Sequence, residues 1–349
     1  MDSSLLALNL TFNLDRIRLG LVGYGYWGPN LARNFHQLPD AWLVACADAD
    51  NARLNEAARL YPLQQTAHDA RALIENPTLD ALVIATPARS HFELVSQALN
   101  AGKHVLVEKP LALTSDDARA LIECAQRNQR VLMVGHTFEF NPAVWKIQEL
   151  LDAGALGELY YIYSNRVNLG RVQTDINALW SIAPHDISIL LALLKTMPHS
   201  VSAHGATYLH QGIEDVVFAL LNFPNNIVGH IHASWLDPSK TRQMTFVGSE
   251  KMIVYDDVDP EAKIKIYDKG VYKRGDAFGE FQLRVRSGDL YIPKIDLTEP
   301  LKYECAHFLE CIRENKTPRT DGENGLRVVR VLEAAQQSLK QNGATIFLQ

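Results

Sequence analysis

The sequence of 349 residues contains little cysteine, four residues in all. Cys46, Cys124, Cys305 and Cys311 are scattered along the chain and form no CxxC pair. A secreted disulfide framework needs more cysteines at closer spacing, so the sequence argues against one. Reduced thiols are typical of cytosolic proteins, and we therefore expect a cytoplasmic location.

Long apolar runs and an excess of basic charge are also lacking. No segment has the length needed to cross a membrane, and the formal net charge is -6. A duplex-binding surface needs a basic face that displaces counterions from phosphates, so we expect no nucleic-acid partner. Residues 1–15 contain the apolar run LLALNLTFNL but no basic segment, which argues against a secretory signal. The run is compatible with an extra strand, a short helix or an interface arm.

The sequence does contain a regular alternation of two patterns from Ile17 to about Gly135. Short β-branched runs such as IRLGLV, DALVIAT and HVLVE alternate with segments of helical periodicity such as SHFELVSQALN. Repeated βα units of this kind predict a parallel sheet with helices on both faces. We therefore predict an α/β Rossmann domain over residues 15–140.

The pattern changes after Asn141 and Pro142. Segments with strand periodicity follow one another closely, among them ELYYIYSNRV, DVVFALLNF, IVGHIHASW and RQMTFVGS. They predict a second, α+β domain over residues 141–349 with a largely antiparallel, open sheet. The open face needs either water or a partner subunit, so a homo-oligomer, dimer or tetramer, is a reasonable hypothesis. For the C-terminal helix, packing against the first domain is an alternative.

A GxGxxG motif in LVGYGYWG follows the first predicted strand and precedes a predicted helix. The first glycine permits a tight turn, the second lets the backbone approach a pyrophosphate, and the third allows close helix packing. The motif therefore predicts a dinucleotide site. The loop residues that we assign to the bound cofactor are Gly23, Gly25, Tyr26, Trp27 and Gly28.

Asp48 stands 20 residues after Gly28, at the end of the second predicted strand. A carboxylate at this place accepts the hydroxyl groups of the adenosine ribose and repels a 2′-phosphate. The next residue, Ala49, offers no cation to compensate. We therefore expect NAD rather than NADP, with the alternative that Asp48 only caps the following helix.

The strand HVLVE runs into Glu108 and Lys109 at the edge of the sheet where ligands bind in this architecture. Oxidation of an alcohol by hydride transfer needs a base for the hydroxyl proton and a positive group near the developing alkoxide. Lys109 is the candidate for the positive group, and a solvated surface lysine is the alternative. His185, in a helix predicted around Trp180 to Lys195, is the candidate base because imidazole exchanges protons near neutral pH.

Metal ligation is not indicated by the remaining histidines. His230 and His232 lie two residues apart on one face of a predicted strand, but no cysteine or acidic residue accompanies them at metal-ligand spacing. Packing on the strand explains both side chains, and we predict no metal site.

The segments GYGYWG, TPARSHFELVSQALNAGKHVLVEKPLA and APHDISILL together resemble the Gfo/Idh/MocA oxidoreductase family, and the likeness extends over nearly the whole chain. Within that family, GYGYWGPNLARNF, VGHTFEFNPAV and SWLDPSKTRQMTFVGSEKMIVYDD are most similar to bacterial nucleotide-sugar 3-dehydrogenases. This resemblance implies NAD-dependent oxidation of the C3 hydroxyl of UDP-N-acetylglucosamine or its uronic acid.

The resemblance also implies roles for residues that follow the parallel strands. Thr86, Pro87 and His91 would border the cofactor. Glu108 and Lys109 would approach its nicotinamide end.

Further roles that the resemblance implies fall in the second half of the chain. Arg166, Asn168 and Arg171 in NRVNLGR are candidates to hold a sugar or its diphosphate, because arginine offers paired donors to phosphate oxygens; an ordinary loop residue is the alternative for each. His185 would face the substrate hydroxyl. Four residues earlier, where many relatives carry Asp, this chain has Ser181, so a carboxylate that would strengthen the histidine as a base is missing.

Three functions stay open on the sequence alone. The leading hypothesis is an NAD-dependent dehydrogenase of a nucleotide-linked sugar. A keto-sugar reductase, or a dehydrogenase of a free sugar or cyclitol, would keep the same fold, although an uncharged ligand makes poor use of the cations in NRVNLGR and DPSKTR. The third is a regulator that binds NAD and a sugar without turnover, and Ser181 is the feature that keeps it open.

Overall fold

The computed structural model describes residues 16–170, 172–273 and 283–348. The N-terminal apolar run and Arg171 therefore lie outside the described residues. The chain divides into two compact units. The first unit comprises Met1–Thr137 and Thr298–Val329, and the second comprises Phe138–Leu297 and Arg330–Gln349.

Six strands of the first unit pair in parallel into one sheet. They are β1 (Ile17–Val22), β2 (Ala41–Ala47), β3 (Gln65–Ala67), β4 (Ala81–Ile84), β5 (His104–Glu108) and β6 (Leu132–Gly135). Their order across the sheet is β3-β2-β1-β4-β5-β6. The winding direction reverses between β1 and β4, and ligands of doubly wound sheets bind beyond the carboxyl ends of the strands at such a switch point.

Five helices connect these strands. They are α1 (Gly28–Gln37), α2 (Asn51–Leu60), α3 (Arg71–Ile74), α4 (His91–Asn100) and α5 (Ser115–Asn128). All four residues of β4 are buried, as expected for a strand whose two faces are both covered by helices. In α1, Leu31, Ala32 and Phe35 are buried on one face, so the helical periodicity of the sequence corresponds to a real apolar stripe.

The second unit is built on a nine-stranded sheet. Its strands are β7 (Leu159–Val167), β8 (Ser200–Ala206), β9 (Val216–Asn222), β10 (Val228–Ser234), β11 (Thr241–Gly248), β12 (Met252–Asp256), β13 (Ile264–Lys273), β14 (Leu283–Tyr291) and β15 (Ile346–Phe347). The order is β14-β13-β12-β11-β7-β10-β9-β8-β15. Of the pairs between these strands, only β7 with β10 is parallel. The predicted fold class, a Rossmann domain followed by an α+β domain with a largely antiparallel sheet, is confirmed.

Helices of the second unit precede and follow β7. They are α6 (Pro142–Asp152), α7 (Ala178–Ile182) and α8 (Pro184–Leu194). The single helix predicted around Trp180 to Lys195 is thus two helices. Pro184 lacks the backbone N–H that would continue the hydrogen bonds of the first helix, although Ala183 between the two helices keeps right-handed helical angles. Along β7 the side chains alternate between a buried face, which includes Ile162 and Arg166, and an exposed face, which includes Tyr161.

The last two helices are α9 (Pro300–Glu314) and α10 (Gly322–Lys340). The sequence-based division assigns both to the second domain, whereas residues 298–329 group with the first unit. Phe308 of α9 is fully buried and meets the ring of Phe35 edge-to-face, with centroids 6.4 Å apart. This apolar contact joins α9 to α1 of the first unit. Among the described residues there is no helix both long and apolar enough to cross a membrane.

Candidate active site

The loop between β1 and α1 carries the three motif glycines, and each has its own structural reason. Gly23 has φ +94°, and a Cβ atom there would lie 2.6 Å from the carbonyl oxygen of Ala85. A side chain on Gly28 would collide with the Gly23 carbonyl, which is how α1 can start so close to the loop. At Gly25 a Cβ atom would meet only the guanidinium of Arg53, at 3.6 Å. The backbone is therefore open to a pyrophosphate at the N-terminus of α1.

Tyr26 and Trp27 continue this loop with stacked rings whose centroids are 6.4 Å apart. Tyr26 is 78% exposed and is available to a ligand. Trp27 is half-buried, and its side chain lowers the pKa of the Glu108 carboxyl group. The two aromatic residues of the motif thus face different surroundings.

Asp48 is bound into the glycine loop by its carboxylate. Its Oδ2 accepts the backbone N–H of Tyr24 at 2.6 Å, and its Oδ1 accepts the N–H of Asp50 at 2.9 Å. The alternative that Asp48 only caps the next helix is wrong, because Asp50 does so by accepting the N–H of Ala52. Ala49 offers no cation to Asp48, but a residue further along the chain does. Arg53 lies 3.7 Å from Oδ1 of Asp48, brought there by the first turn of α2.

His91 is 1% exposed, so its ring is closed to a ligand, contrary to the expectation that it borders the cofactor. Its Nδ1 lies 2.7 Å from the carbonyl oxygen of Pro110 and its Nε2 lies 2.9 Å from that of Thr86. Burial lowers the pKa of His91. The histidine therefore ties together the loops that follow β4 and β5. Thr86 itself accepts a hydrogen bond from Ser90 at 2.8 Å, and Pro87 lies directly beside it.

Glu108 ends β5 opposite Gly135 of β6. Its carboxyl group lies against the glycine, where a Cβ atom would be 3.3 Å from each carboxyl oxygen. Burial raises the pKa of Glu108 to about 8, against the opposing effects of the Lys109 ammonium, the Lys109 backbone N–H and Trp27. Lys109 is half-buried at the carboxyl end of the strand. Its positive charge therefore stands beside an acid that tends to keep its proton.

Glu304 of α9 is a second acid close to Glu108, and it is not among the site residues predicted from the sequence. It is 0% exposed. Burial raises its pKa well above the usual range, the Glu108 carboxylate raises it further, and Thr137 opposes the rise. The sequence does contain a sign of this placement, because Glu304 follows Leu301 by three residues and precedes Phe308 by four. That spacing puts a carboxyl group on the apolar face of the helix.

His185 lies in the first turn of α8, and its ring meets the edge of the Phe138 ring with centroids 4.9 Å apart. The guanidinium of Arg166 stacks on Phe138, 4.4 Å from the centroid. Nε of Arg166 also donates to Oδ2 of Asp186 at 2.8 Å. An aromatic ring and an ion pair thus hold the segment that carries the candidate base.

Arg166 itself is not a surface ligand for a diphosphate, which corrects the expectation drawn from the sequence. Its side chain is 7% exposed and that of Asp186 is 1% exposed. The alternation of β7 turns Arg166 to the buried face, where a charge must be paired. The motif NRVNLGR indicates cations near a ligand, but it does not show which of these cations forms a buried ion pair within the protein.

Asn168 is half-buried in the loop after β7. Its backbone N–H donates to the carbonyl of Ser234, and its own carbonyl accepts the N–H of Asp237. Ser181, four residues before His185, accepts a hydrogen bond from Gln173 at 2.8 Å. The structure describes Asn168 and not Arg171, so the predicted role of Arg171 stays a prediction.

Two family models match this chain. One, described as an oxidoreductase family with an NAD-binding Rossmann fold, matches residues 17–136, and the other, a GFO/IDH/MocA C-terminal domain, matches residues 144–254. Both describe the same family. The first covers the six-stranded parallel sheet, and the second covers part of the nine-stranded sheet. The chain belongs to the Gfo/Idh/MocA oxidoreductase family.

Relatives within the Gfo/Idh/MocA family act on varied compounds. The chain is 29% identical to a 1-carboxy-3-chloro-3,4-dihydroxycyclohexa-1,5-diene dehydrogenase of Comamonas testosteroni over 62% of its length and 57% of that relative. It is 26% identical to the scyllo-inositol 2-dehydrogenase of Bacillus subtilis over 87% of its length and 88% of the relative. A UDP-N-acetylglucosamine 3-dehydrogenase from Acidithiobacillus ferrooxidans is a solved structure with a TM-score of 0.76 and 26% identity, over 94% of this chain and 98% of that one.

Membership in the Gfo/Idh/MocA family makes this chain an NAD-dependent oxidoreductase that acts on CH–OH groups, and it confirms NAD as the cofactor. The residues present fit that cofactor. The open backbone at Gly25 leaves a cradle that a Cβ atom would narrow, and the Asp48 carboxylate at the end of β2 is placed for ribose hydroxyls. A regulator without turnover is correspondingly disfavoured.

The paired histidines of β10 serve packing in this Gfo/Idh/MocA enzyme. The rings of His230 and His232 stack on Phe218, with centroids 6.4 Å and 4.4 Å away. Within the described ranges, no three His, Cys, Asp or Glu side chains are grouped as metal ligands would be.

Proposed function

We propose that this enzyme oxidises a secondary hydroxyl, at C3, of a nucleotide-linked sugar such as UDP-N-acetylglucosamine or its uronic acid. Bound NAD would accept the hydride from the carbon that bears the hydroxyl. Lys109 stabilises the negative charge that develops on the oxygen, and His185 accepts the hydroxyl proton. The similarity to a UDP-N-acetylglucosamine 3-dehydrogenase over 94% of this chain supports a substrate of this class.

The observation that carries the proposal is a cationic edge of the second unit, defined by Lys240 and Arg242. Arg242 of β11 pairs with Arg166 of β7, and Arg166 in turn binds Asp186, the neighbour of His185. Lys240 is exposed, and the Arg242 side chain is 41% exposed. The segment that carries the candidate base is therefore joined, through Asp186 and Arg166, to the strand pair that carries Arg242.

This cationic edge takes the role that Arg166 cannot fill. Arg242 lies 3.4 Å from Asp257, a distance that leaves its other donors open to an anion. The loop containing Asn168 runs beside the loop that leads to Lys240, since the Asn168 carbonyl accepts the N–H of Asp237. A diphosphate or a uronate carboxylate would find paired donors there, whereas a neutral sugar would gain little.

The substrate class is tested by ligand-induced stabilisation of the protein. UDP and UDP-N-acetylglucosamine at concentrations well above Kd should raise Tm, and NADH should form with the nucleotide sugar. The double variant Lys240→Ala, Arg242→Ala should raise KM about tenfold or more with little change in kcat. Lys195→Ala is the matched control, since Lys195 is also an exposed cation of the second unit. Stabilisation by inositol or glucose, and not by UDP, would contradict the proposal.

A free sugar or cyclitol is the second candidate substrate, and the burial of Arg166 is the observation that favours it. The similarity to an inositol 2-dehydrogenase over 87% of this chain agrees with that alternative. The same side chains would also serve reduction of a keto-sugar, with His185 donating the proton. Stabilisation by inositol or glucose would identify a free sugar or cyclitol as the substrate. Turnover of a keto-sugar with NADH would identify a reductase.

The roles of Lys109 and His185 are tested by kinetics. His185→Ala should lower kcat at least about tenfold while leaving the Kd for NAD within about twofold. Lys109→Ala should lower kcat by a similar factor, and the double variant should lose less than the product of the two single losses if both act on one hydroxyl. His199→Ala, at an exposed histidine of the second unit, is the control. Fully multiplicative losses would argue for separate roles.

We also propose that the enzyme is a cytoplasmic homo-oligomer formed through the open face of the nine-stranded sheet. Tyr161, Phe218 and Leu220 on this face are each 45% exposed. Apolar side chains in that number on one face are typical of an interface. Light scattering should give a dimer or tetramer, and Phe218→Glu should shift it toward the monomer. A wild-type monomer would rule the proposal out.

A further inference from the structure

We infer that Phe138 is a positioning residue for His185, and that its ring restrains the imidazole where other catalytic histidines use a carboxylate. The inference rests on the proposed role of His185 as the base. It depends on contacts within the second unit, which fix the Phe138 ring and, through it, the imidazole.

The side chains next to His185 along the chain are the first step of the argument. A histidine that accepts a proton is commonly oriented by an acidic side chain. Ser181, four residues earlier, has a hydroxyl that accepts a hydrogen bond from Gln173 at 2.8 Å. Asp186, the next residue, directs its carboxylate to Nε of Arg166 at 2.8 Å. Neither Ser181 nor Asp186 therefore supplies a carboxylate to the imidazole.

The contact between the two rings is the second step. The centroids of Phe138 and His185 are 4.9 Å apart, and the ring planes meet at 61°. Aromatic pairs prefer such an edge-to-face arrangement, and it restrains rotation of the imidazole about its Cβ–Cγ bond. Both residues are half-buried, so the contact leaves part of the imidazole accessible to a ligand.

A second neighbour of the Phe138 ring, the guanidinium of Arg166, is the third step. Its Cζ lies 4.4 Å from the ring centroid. A cation over an aromatic face is attracted to it, and more strongly where water is excluded. The Arg166 side chain is 7% exposed, and Asp186 holds it at 2.8 Å. A guanidinium that is itself fixed therefore fixes the ring.

The backbone of Phe138 is anchored as well, which is the fourth step. Its carbonyl accepts the N–H of Asn141 at 3.1 Å. The Asn141 side chain donates to the hydroxyl of Tyr255 at 3.0 Å and accepts the N–H of Ala143 at 2.9 Å, at the start of α6. Ring and backbone are both held, so Phe138 imposes an orientation on His185 instead of following it.

The orientation of the imidazole decides the rate of proton transfer. A base works only when its nitrogen lies within hydrogen-bond reach of the hydroxyl. An imidazole that samples several orientations is in reach for only part of the time. Loss of the Phe138 ring should therefore slow turnover, while the sites for NAD and for the nucleotide part of the substrate stay as they are.

The first test separates kcat from KM, with UDP-N-acetylglucosamine as substrate. Phe138→Leu should lower kcat about fivefold or more and leave KM and the Kd for NAD within about twofold. Phe138→Tyr keeps the ring and should stay within about twofold of the wild-type kcat. Phe138→Met, with a flexible apolar side chain, serves if Leu destabilises the fold. Tyr267→Leu is the matched control, because Tyr267 is another half-buried ring of the second unit with a cation nearby, Nζ of Lys269 at 5.4 Å.

Two further variants ask whether Phe138 acts through His185. Adding Phe138→Leu to His185→Ala should lower kcat less than about twofold beyond His185→Ala alone. Ser181→Asp, added to Phe138→Leu, should recover at least about threefold in kcat, because a carboxylate one helical turn before His185 can orient the imidazole. A fully multiplicative loss, or no recovery, would overturn the inference. An unchanged kcat in His185→Ala would instead contradict the proposed function.

A second measurement needs neither substrate nor turnover. In protein with isotope-labelled histidine, the magnetic-resonance signal of the His185 ring is identified by its absence in His185→Ala. Wild type should give one narrow signal. Phe138→Leu should broaden or split it, because the ring then samples several orientations, and Tyr267→Leu should leave it unchanged. A signal equally narrow in Phe138→Leu would overturn the inference while leaving the proposed function standing.

Discussion

The two units bury ionisable groups in opposite ways. In the first unit, Glu108 and Glu304 are two acids that stand near each other, and burial raises the pKa of both. In the second unit, Arg166 and Asp186 carry opposite charges and approach to 2.8 Å. The raised pKa values favour a protonated carboxyl group in the first pair, whereas both members of the second pair are charged.

The two pairs therefore differ in how they respond to pH. A pair of acids that holds a proton responds to pH, so the surroundings of Lys109 change as that proton is lost. An ion pair between an arginine and a carboxylate keeps its charges over the whole physiological range, so it fixes geometry instead. The pair beside His185 is suited to orienting a base, and the pair beside Lys109 is suited to setting an electrostatic environment.

The largest effect should come from breaking the charge pair. Asp186→Asn leaves the Arg166 guanidinium buried without a counter-charge, and the free energy of unfolding should fall by about 3–5 kcal/mol. At this domain size that loss lowers Tm by about 2–4 °C per kcal/mol. Thermal unfolding measures it.

The control for that prediction removes both charges together. Arg166→Met with Asp186→Leu should be less destabilised than either single variant, because no buried charge is left alone. If the two losses simply added, pairing would not be the reason for the stability of this cluster.

An intermediate effect is expected at the pair of acids, and it should depend on pH. The unfolded chain releases these protons near pH 4.5, whereas Glu108 in the folded protein releases its proton at about 8. The folded state therefore binds more protons between these values, and stability is lost as pH rises through that window. Glu304→Gln removes one acid, so its Tm should fall less than that of wild type between about pH 5 and pH 9.

The difference should appear as a shallower fall of Tm with pH in Glu304→Gln, because the raised pKa of Glu304 no longer contributes. Glu123→Gln, at an exposed glutamate of α5, provides the baseline. Parallel Tm curves for wild type and Glu304→Gln would mean that the two carboxyl groups titrate without influencing stability.

The smallest effect is expected at an exposed ion pair of the first unit. Arg33 and Glu299 approach to 2.7 Å with side chains 42% and 43% exposed. Solvent screens such a pair, so Arg33→Met should change the free energy of unfolding by no more than about 1 kcal/mol. The change should shrink further at high salt. A loss comparable to that of Asp186→Asn would show that burial is not what separates the two pairs.

The sequence by itself determined the class of both sheets and the residues of the glycine loop. Strand and helix periodicities are properties of neighbouring residues, and the motif from Gly23 to Gly28 is local, so its geometry follows from a few adjacent residues. Asp48 was found for the same reason, because its distance from the motif along the chain is set by one βα unit.

Only the tertiary structure decided how Arg53, His91, Arg166 and Glu304 are used. Each of these side chains takes its role from partners that pattern reasoning does not identify, whether a carboxylate, a pair of carbonyl groups or a second acid. Periodicity indicates which face of an element is buried, but not which charged group is buried with it. Burial makes the identity of that partner decisive, because a charge without water must find an opposite charge or change its protonation.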